Sequence, residues 1–182
     1  IPGYRENRWL AMLKDSPFYP TWWYRKSFTI PKVLYGKKMV LHLDGINYKA
    51  NVWLNGKQIA DSYNIIGMFR RFELDIEKSV KYGEENILVI EISAPGKVPD
   101  KKYHTKQIEA TTGWDDHNPQ PPDLNMGIWR DVYISVSDQV SLKNPYVVTD
   151  LDLPSLDKAF LTISVEVENK SDQPVKGKIE GT

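Results

Sequence analysis

Between Thr21 and Val136 the apolar residues recur mostly at every second position, in short runs bounded by Gly, Pro and Asn, which is the spacing of half-buried β-strands. Thr21–Ile30 (TWWYRKSFTI) is rich in aromatic and β-branched residues and stops at Pro31. Lys38–Asp44 alternates, with Met39, Leu41 and Leu43 on one face and Lys38, Val40, His42 and Asp44 on the other. Tyr48–Leu54 runs into Asn55-Gly56 and returns through Lys57, Gln58 and Ile59. Asn-Gly between strand-like runs predicts a two-residue type I′ hairpin, because both central residues take positive φ. That turn sets Val52 opposite Ile59 and Trp53 opposite Gln58. Met68–Ile76 and Val132–Val136 read as further strands. Asn86–Ser93 is apolar at nearly every position and reads as a strand covered on both faces. About seven short strands with almost no helical period predict an all-β fold, an antiparallel sandwich or jelly roll.

After Asn144-Pro145 the pattern restarts. In Ala159–Glu168, Leu161, Ile163, Val165 and Val167 share one face, and Pro174–Glu180 repeats the alternation with Val175, Gly177 and Ile179. With Tyr146–Thr149 this makes about three strands, fewer than an immunoglobulin-like sandwich contains. The expected organisation is therefore an N-terminal extension (1–20), a sandwich domain (21–141) and the first strands of a second sandwich (142–182).

Composition narrows the partners. Charges balance at 24 basic against 24 acidic residues. A neutral chain without a basic stripe gives no reason to expect nucleic acid or an anionic membrane surface. No apolar run approaches the roughly 18 residues of a membrane-spanning helix. With no cysteine, disulfides, thiolate metal sites and thiol nucleophiles are excluded. That fits a cytosolic or a periplasmic protein. A start at Ile1, with no charged and apolar leader, leads us to expect that an upstream segment has been removed, and with it any signal peptide. Aromatics reach 12%, with six Trp and ten Tyr, residues suited to ligands that are partly apolar and partly wet.

The most unusual stretch is Gly113–Val132, GWDDHNPQPPDLNMGIWRDV. Pro119, Pro121 and Pro122 fix φ and remove backbone donors, so it is neither helix nor central strand. It reads as a long, stiff loop that returns to the sheet at Trp129 and Arg130; loops of that length in a compact domain are usually functional or disordered, and the prolines and large aromatics argue for the first. Trp22, Trp23 and Trp53 are expected in core or interdomain packing. Arg70-Arg71 is read as a solvated strand edge, His42 as a satisfied polar residue, and His104 as part of a polar loop.

Four pieces, TWWYRKSFTIP (Thr21–Pro31), LHLDGINYKANVWLNGKQI (Leu41–Ile59), ENILVIEI (Glu85–Ile92) and GWDDHNPQPPDLNMGIWRDVYI (Gly113–Ile134), together resemble the amino-terminal sugar-binding domain of glycoside hydrolase family 2. PPDLNMGIWRDV is most similar to the exo-β-D-glucosaminidase and β-mannosidase branch. There the loop typically reads Gly-Trp-Asp-Trp; here Asp116 replaces the second tryptophan. The resemblance implies a galactose-binding-domain-like jelly-roll β-sandwich followed by the truncated start of an immunoglobulin-like β-sandwich, with a catalytic barrel further along the parent polypeptide. It implies a non-catalytic domain that completes the rim of a pocket for a terminal β-linked mannose or glucosamine, in an exo-acting enzyme that retains configuration. Both catalytic carboxyl groups would then be glutamates of the barrel, so no catalytic residue and no cofactor are expected in this chain. A periplasmic or secreted bacterial location accords with this.

Sugars are held by aromatic faces against their C–H surfaces and by groups that accept from their hydroxyls. Trp114, Asp115 and Asp116 offer both kinds of group, followed by His117 and Asn118; these five are the expected substrate-binding residues. By resemblance, Trp114 forms a wall and Asp115 accepts from hydroxyls. Read from the residues alone, Trp114 plugging the sandwich end with both Asp as turn formers fits the same stretch. Asp116 and His117 have no third ligand at helical spacing, and no metal site is expected. An autonomous carbohydrate-binding module or lectin-like domain is the alternative function, and an adhesion sandwich without sugar chemistry a third.

Overall fold

A computed structural model describes residues 21–93 and 126–181. Apart from one short 3₁₀ turn, Lys32–Leu34, its regular structure is entirely β. The chain separates into two units, the first ending at Ser135 and the second beginning at Val136.

In the first unit, strands β1 (Trp22–Thr29), β2 (Lys38–Leu43), β3 (Ile46–Asn47), β4 (Lys49–Leu54), β5 (Lys57–Ala60), β6 (Phe72–Asp75), β7 (Glu85–Ser93) and β8 (Gly127–Ile128) are joined by the first four residues of β9 (Val132–Ser137). Two sheets form, of strand order β1-β7-β4-β5 and β6-β2-β9, with β3 and β8 as a separate pair. The antiparallel neighbours bring alternate side chains into one core: Met39, Leu41 and Leu43 from β2, Ala50, Val52 and Leu54 from β4, Leu88, Ile90 and Ile92 from β7, and Phe72 from β6. This agrees with the galactose-binding-like β-sandwich expected from the sequence.

The Asn55-Gly56 hairpin forms as read, with φ of 54° and 81°. Its register differs by one position: Trp53 faces Gln58, but an irregularity sets Val52 opposite Ala60, not Ile59. The side chain of Asn55 has a second role. Its Nδ2 donates to Ser79 O at 2.9 Å and to Asn86 Oδ1 at 2.8 Å, and its Oδ1 accepts from the Ile87 amide at 3.0 Å. Asn86, fully buried, also accepts from Lys81 N at 2.7 Å and donates to Lys81 O and Glu84 O at 2.8 and 3.2 Å. These two amides tie the β4–β5 hairpin and the turn before β7 to the sheet.

Several expectations need correction. β7 is covered on one face only: Asn86, Leu88, Ile90 and Ile92 are buried while Ile87, Val89 and Glu91 are half-buried. The Met68–Ile76 strand shrinks to Phe72–Asp75, because Met68 and Phe69 form a turn in which the Arg70 amide donates to Gly67 O at 3.4 Å. Arg70 and Arg71 therefore belong to the approach to β6, with the Arg70 guanidinium 4.9 Å from the Phe72 ring centre. Of the core or interdomain packing expected for the tryptophans, only the core is ruled out for Trp22 and Trp23, which are 36% and 58% exposed. His42 is satisfied, as read: its Nε2 lies 2.7 Å from Ser135 Oγ, and its ring stacks on Tyr133 at 4.4 Å between centres.

The second unit is a ribbon of β10 (Val140–Leu151) and β11 (Ala159–Asn169). The break expected at Asn144-Pro145 is an irregularity inside β10, where the pairing shifts between Lys143 and Tyr146 and Asn144 takes φ 50°. Residues 174–180 form no strand, despite their alternation; alternation marks two-faced residues, but a strand exists only where a partner completes its ladder. Glu168 joins the two strands through Lys143 Nζ at 2.9 Å and also meets Lys170 Nζ at 3.5 Å. The Lys143 contact is the largest cause holding its carboxyl below the ordinary glutamate value. The attraction is thus present above the unfolded pKa and is lost as pH falls through the folded one. Faster amide exchange at Leu142 and Val167 near pH 3 than near pH 6, relative to the core of β4, would register it. Among the described residues no helix is long and apolar enough to cross a membrane.

Candidate functional site

The expected binding residues Trp114, Asp115, Asp116, His117 and Asn118, along with His104, lie outside the described residues. The structure does show the root from which that loop is carried. β7 ends at Ser93, whose carbonyl accepts from the Tyr48 amide at 3.3 Å and which pairs with Lys49. The chain is described again at Met126, and Gly127 pairs with Asn47 and Ile128 with Ile46. Residues 94–125 therefore leave and return beside the same segment, Ile46–Lys49. The described residues at both ends of segment 94–125 are thus fixed by the sheet.

The returning end is held tightly. Met126 is buried. Gly127 takes φ 117°, a conformation that favours glycine, and a Cβ there would meet Tyr24 Oη at 2.6 Å, so that hydroxyl would have to shift. The Trp129 amide donates to Gly45 O at 3.1 Å, and the Asp44 amide to Asp131 O at 3.1 Å. The Trp129 indole Nε1–H donates to Met68 O at 3.1 Å. Phe69 meets Trp129 edge-on at 5.9 Å, and the Arg130 guanidinium lies 4.8 Å from its ring centre. Trp129 and Arg130 thus anchor the return, the role read for them from sequence. Sequence reading missed Gly45 and the β3–β8 pair. Two-residue strands carry no periodicity, and the need for glycine at 45 arises only from the indole folded over it.

Beside this return, a cavity of about 500 Å³ is lined mainly by apolar groups, among them Phe28, Leu41, Leu88 and Ile128, with Arg25 and Lys26 also on its walls. A sugar would find few polar partners on those walls. Among the described residues no three His, Cys, Asp or Glu side chains come together to hold a metal ion.

Comparison with known proteins identifies the domain type. The family described as glycosyl hydrolase 2 galactose-binding domain-like matches residues 4–130. An exo-β-D-glucosaminidase of Streptomyces avermitilis is 33% identical over 182 residues, all of this chain but 18% of that protein. A mannosylglycoprotein endo-β-mannosidase of Lilium longiflorum is 32% identical over 168 residues, 84% of this chain and 17% of its own. In structure, the exo-chitosanase of Amycolatopsis orientalis matches with TM-score 0.66 at 29% identity, covering 85% of this chain and 17% of that one. The chain spans less than a fifth of the length of these relatives. It belongs to the galactose-binding-like domain family of glycosyl hydrolase 2, corresponding to the amino-terminal part of much larger proteins.

Proposed function

We propose that this chain is the non-catalytic sugar-binding domain of an exo-acting, configuration-retaining β-glycosidase that releases terminal β-glucosaminyl or β-mannosyl units. The observation that carries this reading is the 33% identity to an exo-β-D-glucosaminidase along the whole of the chain. In it, the loop rooted beside Ile46–Lys49 reaches over a catalytic barrel elsewhere in the same polypeptide. Trp114 forms one wall of the terminal-sugar pocket, Asp115 accepts from sugar hydroxyls, and Asp116, His117 and Asn118 complete the rim. The strands that follow Asn144 begin an immunoglobulin-like sandwich.

A carboxylate taking one or two hydroxyl hydrogen bonds contributes about 1.5–3 kcal/mol. In the complete enzyme, Asp115→Ala should then lower kcat/KM on p-nitrophenyl β-D-glucosaminide about 30-fold, with the melting temperature unchanged. Unaltered kinetics would remove Asp115 from the pocket.

A further inference from the structure

On the outer face of the β1-β7-β4-β5 sheet, away from the core, the register sets Trp23 beside Glu91 and Glu91 beside Asn51. In the next outward row lie Arg25, Val89, Trp53 and Gln58. Trp23 and Trp53 lean together over the intervening strand and stack, with ring centres 5.5 Å apart and planes 24° from parallel. Trp23 nevertheless remains 58% exposed. The polar groups beside them are held in place: Asn51 Nδ2 donates to Glu91 Oε2 at 2.7 Å, and Asn51 Oδ1 accepts from Ser62 N at 2.9 Å and Gln58 Nε2 at 3.4 Å.

We propose that this face, built from side chains of the sheet itself, is a second carbohydrate site, which takes a chain of β-linked amino sugars. The amino-sugar class rests on the reading of the parent as a β-glucosaminidase; the platform itself rests on the geometry. Two stacked indoles make a contiguous aromatic patch, larger than a single exposed side chain, of the kind that carries a binding site. The centres of protein–protein interfaces are depleted of charge, whereas here the Glu91 carboxylate, the Arg25 side chain one row away and two amides lie on the same face as the indoles. That mixture suits a pyranose, with its C–H face on Trp23 and its hydroxyls on Asn51 and Gln58. The ammonium of a glucosamine unit gains twice, from the Glu91 carboxylate and from the electron-rich indole face. Four strands at about 4.8 Å spacing give a width of about 14 Å, longer than a single sugar ring. The site therefore selects polymer and leaves the terminal-sugar pocket to the loop.

The test uses the complete enzyme, in affinity electrophoresis through gels containing soluble chitosan, alongside kcat/KM on p-nitrophenyl β-D-glucosaminide. Trp23→Ala is expected to weaken retention by chitosan about tenfold, while the small substrate, too short to span both sites, is hydrolysed as before. Trp23→Tyr, which preserves an aromatic face and is milder towards folding, should retain most of the binding. Glu91→Gln should narrow the preference for chitosan over its N-acetylated counterpart. The proposal is overturned if Trp23→Ala leaves retention unchanged, or if retention and small-substrate hydrolysis fall together, since the indole then serves packing. An enzyme inert on the small substrate but held by chitosan through Trp23 would sink the glucosaminidase reading and leave the platform standing.

Discussion

Asn86→Leu is expected to destabilise the first unit by about 3 kcal/mol. Leucine matches the size of asparagine but can neither donate nor accept. Four hydrogen bonds end on the Asn86 side chain, from Asn55 Nδ2 and Lys81 N to its oxygen and from its nitrogen to Lys81 O and Glu84 O. The replacement therefore strands several polar groups in a place where Asn86 itself is 0% exposed. Each group left without a partner out of water costs about 1 kcal/mol or more. Asn55 keeps Ser79 O and the Ile87 amide, so part of the tie survives and the loss stays below the full sum. A urea midpoint lowered at unchanged slope would register the change. A shift worth less than about 1 kcal/mol would mean that the turn before β7 rearranges freely and that the two amides are not its lock.

Gly45→Ala should be the most damaging single methyl group at the root of the loop. A Cβ at position 45 would lie 2.7 Å from Trp129 Nε1, 2.8 Å from Trp129 Cε2 and 2.9 Å from Arg130 Cβ. The indole is gripped from the other side by the Met68 carbonyl and by Phe69, so it moves only by giving up that hydrogen bond and the edge contact. Overpacking of this kind costs about 1–3 kcal/mol, with about 1 kcal/mol more for the lost hydrogen bond. Gly177, with nothing within 4 Å of a built Cβ, supplies the near-neutral comparison as Gly177→Ala. In the complete enzyme Gly45→Ala should also raise KM by moving the base of the binding loop. If stability falls while KM holds, Trp129 is a structural plug without influence on the pocket.

How far the sequence carried the fold can be seen at particular residues. The Asn55-Gly56 turn was legible because few pairs tolerate two successive positive φ values. The one-residue irregularity beside it, which moves Val52 to Ala60, leaves no mark in the pattern. Alternation placed β2, β4 and β11 well, yet misled at residues 174–180, where apolar and polar residues alternate without a partner strand. Tryptophans were the hardest to place. Only the pairing of both strands with β7 puts Trp23 and Trp53 on one face, and whether that face meets core, another domain or solvent depends on neighbours that local pattern does not encode. For the candidate site, residue types in Gly113–Asn118 and the resemblance led to the expectation of sugar binding, those residues lie outside the described ones, and the structure added the anchorage at Gly45, Met68 and Trp129.

The central claim is that a sandwich end presents an indole and an acid to a pocket whose catalytic groups lie elsewhere in a longer polypeptide. Calorimetric titration of a glucosamine-configured inhibitor into the complete enzyme and its Asp115→Ala variant tests it most directly. The account predicts a Kd at least about tenfold weaker in the variant, with the fold intact. Equal affinities in the two proteins would contradict it.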